Sequence, residues 1–111
     1  MNTYIALMNL TAEGAKTMND SAARSVRGKA LMKKIGGRIK DYYMTMGSYD
    51  FVVVFEAPSD EAMTLFLLEV GSWGAVRTNT LKAFTKPQYL KILSAMGVEA
   101  KPARRAKRKR S

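Results

Sequence analysis

Neither cysteine nor histidine occurs among the 111 residues. The zinc sites, iron–sulfur clusters and imidazole-based triads that need those side chains are thereby excluded. The commonest general base near neutral pH is missing too. Disulfides cannot form, so cysteine pairing says nothing of redox compartment. No apolar run approaches the roughly 20 residues of a membrane span. The opening Met1-Asn2-Thr3-Tyr4 has no basic n-region, and Ile5–Leu10 is too short for a secretory h-region. The expectation is a soluble cytoplasmic protein with no metal, no cofactor and no membrane contact. Acid is absent from residues 101–111, which hold seven cations. Of the net +10, +7 therefore sits in that segment and +3 in residues 1–100.

What is present reads as one domain, since 111 residues leave no room for a second core. Tyr4–Leu10 is a first strand, broken by Thr11-Ala12-Glu13-Gly14. Asp20 or Ser21 caps a helix to about Ile35, with a buried stripe expected from Ala22, Val26, Ala30 and from Ala23, Leu31, Ile35. Lys33 and Lys34 suit its C-terminal dipole, and Gly36-Gly37 supplies a left-handed exit. Arg38–Met46 and Asp50–Glu56 read as antiparallel strands joined by Gly47-Ser48 in a type II′ turn. Pro58 ends the second of them and Ser59 caps the next helix, which closes at Gly71. Ala75–Thr85 alternates as a fourth strand. Pro87 opens a short helix, Gln88–Met96, and from Glu99 the chain reads as a disordered basic tail. The division is thus a domain over 1–97 and a tail over 98–111.

Two strand–helix–strand halves joined by a hairpin give an α+β, ferredoxin-like βαββαβ antiparallel sheet with both long helices on one face, plus a short C-terminal helix. The other face should then be polar, yet the third strand is apolar through the middle of both its alternating sets, Phe51, Val53, Phe55 and Val52, Val54, and the first sets Ile5 and Leu7 against Ala6 and Met8. A lone copy would expose that surface, so a homo-oligomer is expected, most simply through a two-fold interface.

The segment Thr45-Met46-Gly47-Ser48-Tyr49-Asp50, followed by Phe51–Pro58, resembles the GYD domain family. Gly71-Ser72-Trp73-Gly74-Ala75-Val76-Arg77 through Phe84 is similar to it as well, as are Thr3-Tyr4-Ile5, Thr11, Gly14 and Gly36-Gly37. The resemblance covers about residues 2–95. It implies a fold of the dimeric α/β-barrel kind, an architecture shared with cofactor-free monooxygenases and with ligand-sensing domains of leucine-responsive regulators.

The candidate ligand-binding residues are Tyr49, Asp50, Arg77, Thr78 and Tyr43. Asp50 either accepts hydrogen bonds from a ligand, with Tyr49 a donor beside it, or ties down local backbone. Arg77 either pairs with Asp50 or takes an anionic ligand. Tyr42 and Tyr43 fall on opposite faces, so only one lines any cavity. Trp73 is either a lid, a partner contact or a cap on the core. In the tail, Arg104, Arg105, Lys107, Arg108, Lys109 and Arg110 would attract phosphate backbones non-specifically, or serve as a solubilising appendage. Three functions stay open: an oligomeric small-molecule-binding or regulatory module, a cofactor-independent enzyme (monooxygenase-like or isomerase-like) using Tyr49, Asp50 and Arg77, and a nucleic-acid-associated protein acting through the tail.

Overall fold

The computed structural model describes residues 1–97. The expected basic tail and its six candidate cations lie outside them. The elements run β1 (Asn2–Leu10), α1 (Ala12–Lys16), α2 (Ser21–Lys34), β2 (Arg38–Met44), β3 (Phe51–Ala57), α3 (Asp60–Ser72), β4 (Val76–Ala83) and α4 (Lys86–Ala95). The strands form one antiparallel sheet in the order β2-β3-β1-β4, the ferredoxin-like arrangement expected from two βαβ halves. No helix among the described residues is long and apolar enough to cross a membrane.

Strand alternation decides the core. Tyr4, Ala6 and Met8 of β1 and Phe51, Val53, Phe55 and Ala57 of β3 are buried beneath the helices. From above, Met32 of α2 and Met63, Phe66 and Val70 of α3 complete the interior, with the Phe55 and Phe66 rings tilted 5.1 Å apart. Ser59 caps α3 by accepting from the Ala62 N–H, with Asp60 and Glu61 in the first turn. Thr85 and Gln88 form a reciprocal capping box at α4.

Three local expectations are corrected. The inward face of α2 is not the Ala22, Val26, Ala30 stripe: Val26 is 70% exposed, and Ser21, Arg24, Gly28, Leu31, Met32 and Ile35 turn toward the sheet. Alanines and a lone valine hold too little apolar area to outcompete Leu31, Met32 and Ile35 for the core. The β2–β3 connection is not a two-residue turn. The Asp50 N–H donates to the Met8 carbonyl, so Asp50 is drawn toward β1. Thr45 closes the loop on the Asp50 carbonyl at 2.8 Å, leaving four residues, Met46 to Tyr49, outside the ladder. Finally, Thr11–Gly14 is not simply a break. Thr11 caps the short α1, and its hydroxyl donates to the Gly74 carbonyl at 2.6 Å.

On the opposite side of the sheet, Ile5, Leu7, Val52 and Val54 remain half-buried, and Leu81 and Tyr43 are exposed. Helix α4 buries none of its own residues, and Tyr89 and Ile92 are about half exposed at 53% and 46%.

Candidate functional site

The five candidate residues fall in different places. Register pairs Arg77 with Asn9 and Thr78 with Met8, so Arg77 points to the open face of the sheet and Thr78 to the helix side. Tyr49 caps one end of the open face. Its hydroxyl accepts from the Asn79 amide at 3.5 Å, and its carbonyl accepts from the Thr45 hydroxyl at 2.6 Å. Asp50 uses its carboxylate to accept from the Leu10 N–H at 2.9 Å, while its own N–H also reaches the Asn9 side chain at 3.2 Å. The carboxylate thus satisfies a backbone donor at the very end of β1. No ion pair joins Asp50 to Arg77; among the described residues the pairs are Arg38 and Lys40 with Glu56, and Lys82 with Asp60.

Tyr43 lies on the open face, opposite Val52, and Tyr42 lies beneath α2. The cause is a bulge: the β2–β3 register shifts between Ile39 and Asp41. One extra residue inverts the alternation of everything after it. Tyr42 therefore joins Ile39 on the helix side and packs on Phe51, ring centroids 5.8 Å apart. Burial pushes the Tyr42 phenol above its ordinary range, and the nearby Arg24 charge partly opposes that.

The helix side holds a cavity of about 80 Å³ between α2, α3 and the sheet. Its floor is apolar, with Met8, Phe51, Val53 and Phe66, and none of the five candidates lines it. It exists because the first half of α2 puts no large apolar side chain there: Ser21, Arg24, Ser25 and Gly28 line it at helical spacing. Trp73 at the end of α3 forms part of the wall. The Arg27 guanidinium stacks 4.1 Å above its ring, and the Trp73 indole N–H is buried without an acceptor among the described residues. The signal missed in the sequence was this polar spacing of 21, 24, 25 and 28, masked by the alanines beside it.

The remaining polar cluster ties α3 to the sheet. The buried Tyr4 hydroxyl donates to Asp60, and the Lys82 ammonium donates to the same carboxylate at 3.2 Å. The Tyr4 bond, helped by Lys82, lowers the Asp60 carboxyl; burial chiefly, and Asp60 next, raise the Tyr4 phenol.

The GYD domain family matches residues 4–93, which takes in β2, β3, β4, both long helices and all of β1 but its first two residues. The chain belongs to the GYD domain family. A relative from Thermus thermophilus, named glutamine synthetase and cystathionine beta-lyase binding protein, is 36% identical over 85 residues, covering 75% of this chain and 88% of the relative. A crystal structure of an FFRP protein superposes with a TM-score of 0.55 at 21% identity, over 76% of this chain and 100% of that one. That likeness is one of fold. In this GYD chain the Tyr-Asp pair of the motif stands at the end of the sheet, where β1, β3 and the β2–β3 loop converge.

Proposed function

We propose that this GYD protein is a non-catalytic binding and regulatory module that assembles with a second copy of itself and docks on partner proteins. The uncovered apolar face of the sheet supports the self-association. Four half-buried aliphatic side chains, Ile5, Leu7, Val52 and Val54, run across its centre, flanked by Leu81 and Tyr43. A sheet of this size presents roughly 450 Å² on that face. Two such faces meeting cover about 900 Å² in all, near the roughly 1,000 Å² at which a contact between proteins becomes specific. A two-fold axis places the same residues on both sides, and apolar patches are self-complementary in a way that charged ones are not. The candidates Tyr49, Arg77 and Tyr43 then border the contact rather than form a reactive centre, and Asp50 serves the backbone.

The docking part of the reading draws on the Thermus relative, whose name records binding to two enzymes. This chain has the family's architecture, and its motif residues are engaged in holding the fold.

Light scattering on purified protein tests the assembly. The expected mass is a multiple of 12.3 kDa at micromolar concentration. Val52→Lys places a charge in the middle of the face without touching the buried side of β3, so it should give the 12.3 kDa species. A wild-type particle that stays at the single-chain mass overturns the proposal.

A further inference from the structure

We infer that the cavity beneath α2 is a binding site for a small aliphatic carboxylic acid. The cavity lies on the helix side of the sheet, so its occupancy is independent of the assembly proposed above.

The shape comes first. A cavity of about 80 Å³ admits roughly five to eight water-sized atoms. A body of about six carbons fits that room, whereas a nucleotide or sugar phosphate does not. The floor selects against a polar body, since Met8, Phe51, Val53, Phe66 and Val70 offer it no hydrogen-bond partner.

The polar lining then selects the head group. Arg24 brings a positive charge to the lining, beside Ser21, Ser25 and Tyr42, and among the described residues no carboxylate lines the cavity. One nitrogen of the Arg24 guanidinium is occupied: it donates to the carbonyl and the hydroxyl of Thr17, both at 3.1 Å. Those bonds hold the side chain in place and leave the remaining N–H groups of the planar fork, which suits a carboxylate. Donors without acids above an apolar floor describe an anion with an oily tail.

A protein with no structural need for space would fill it. Gly28 sits within α2 and lines the cavity, and a Cβ built on it meets nothing within 4 Å. Glycine in a helix interior is unfavourable relative to alanine by roughly 1 kcal/mol, so the room at this position is kept at some cost to the helix.

Trp73 is the only tryptophan in the chain and stands in the cavity wall, so its emission reports on occupancy. The probes are 4-methylpentanoate and its neutral counterpart 4-methylpentanamide, titrated against full-length protein. A saturable change in emission is expected with the acid, with a dissociation constant between about 10 μM and 1 mM, the range open to a ligand this small. The amide should bind at least about ten-fold more weakly, as the loss of one charge-assisted contact requires. Gly28→Leu should fill the space and abolish the response while circular dichroism shows a folded protein. Arg24→Met reads the head group separately and should leave acid and amide equal. Absence of saturation with either probe, equal binding of the two by wild type, or an unchanged response in Gly28→Leu overturns the site. Light scattering on the same samples shows whether the assembly stands or falls separately.

Discussion

Two glycines in the helical segments before β2 face opposite fates. A Cβ at Gly14 would overlap the backbone carbonyl of Ala75, where α1 is clamped to the loop before β4 by the Thr11 N–H at 3.0 Å. Backbone cannot yield there, so Gly14→Ala should destabilise by about 2–4 kcal/mol in urea denaturation, the scale of overpacking with strain. Gly28→Ala meets open space, so it should be neutral or stabilise by up to about 1 kcal/mol. Equal effects would refute the clamp. The Tyr4–Asp60–Lys82 cluster sets a pH dependence at the same scale. The folded carboxyl of Asp60 is depressed, so its contribution is present above the ordinary carboxylate value near 4 and disappears as pH falls through the lower folded value. Tyr4 has the opposite sign: its raised phenol contributes below about 10 and loses that contribution as pH rises through the folded value. Tyr4→Phe removes the largest cause of the Asp60 depression. Its stability should therefore fall less steeply than wild type between about pH 5 and 2, measured by denaturant midpoints.

Helix α2 shows what periodicity carries and what it hides. Its end was legible from Lys33, Lys34 and Gly36, because dipole charges and a left-handed glycine are local chemistry. Its start falls where expected, but the expected cap is not made, since Asp20 stands at the N-cap without a side-chain hydrogen bond and Ser21 is already helical. Its orientation was not legible, because alanine at 22, 23 and 30 satisfies a hydrophobic pattern while contributing almost no burial. The pair Met32 and Val26 measures this: Met32 is fully buried, and Val26 lies out in solvent. Met32→Ala should cost about 2–5 kcal/mol and Val26→Ala under about 0.5, by thermal or urea unfolding. Reversed values would mean the helix is rotated. Strand β3 was legible as a strand from its run of aromatic and β-branched residues, but its facing was not, because Phe51, Val53 and Phe55 and the alternate Val52 and Val54 are both apolar sets. In β2 the bulge near Lys40 swapped the roles of Tyr42 and Tyr43, and nothing in Arg38-Ile39-Lys40-Asp41 marks an extra residue. The same limit hid the cavity, whose walls come from α2, the end of α3 and every strand of the sheet and meet only in three dimensions. The Tyr49–Asp50 motif was visible as a motif. Its structural use was not, because the Leu10 N–H it satisfies lies forty residues earlier.

The two faces of the sheet divide the molecule into a side that is closed by its own chain and a side that is not. Helices α2 and α3 cover Tyr4, Ala6, Met8, Phe51, Val53 and Phe55, while Ile5, Leu7, Val52 and Val54 have no equivalent cover. If a second copy supplies it, folding and association are linked, and stability depends on how much protein is present. The thermal midpoint of wild type should then rise as concentration is raised a hundred-fold, by a few degrees for a domain of this size, because mass action adds about 2.7 kcal/mol per mole of dimer formed. Val52→Lys should show a lower midpoint that does not move with concentration. A lysine on a truly solvated strand face would instead leave the midpoint nearly unchanged at every concentration, since exposed substitutions away from special features cost within about 0.5 kcal/mol. Differential scanning calorimetry at several concentrations separates the two, and a concentration-independent wild type would place the apolar face in water with no partner of its own kind.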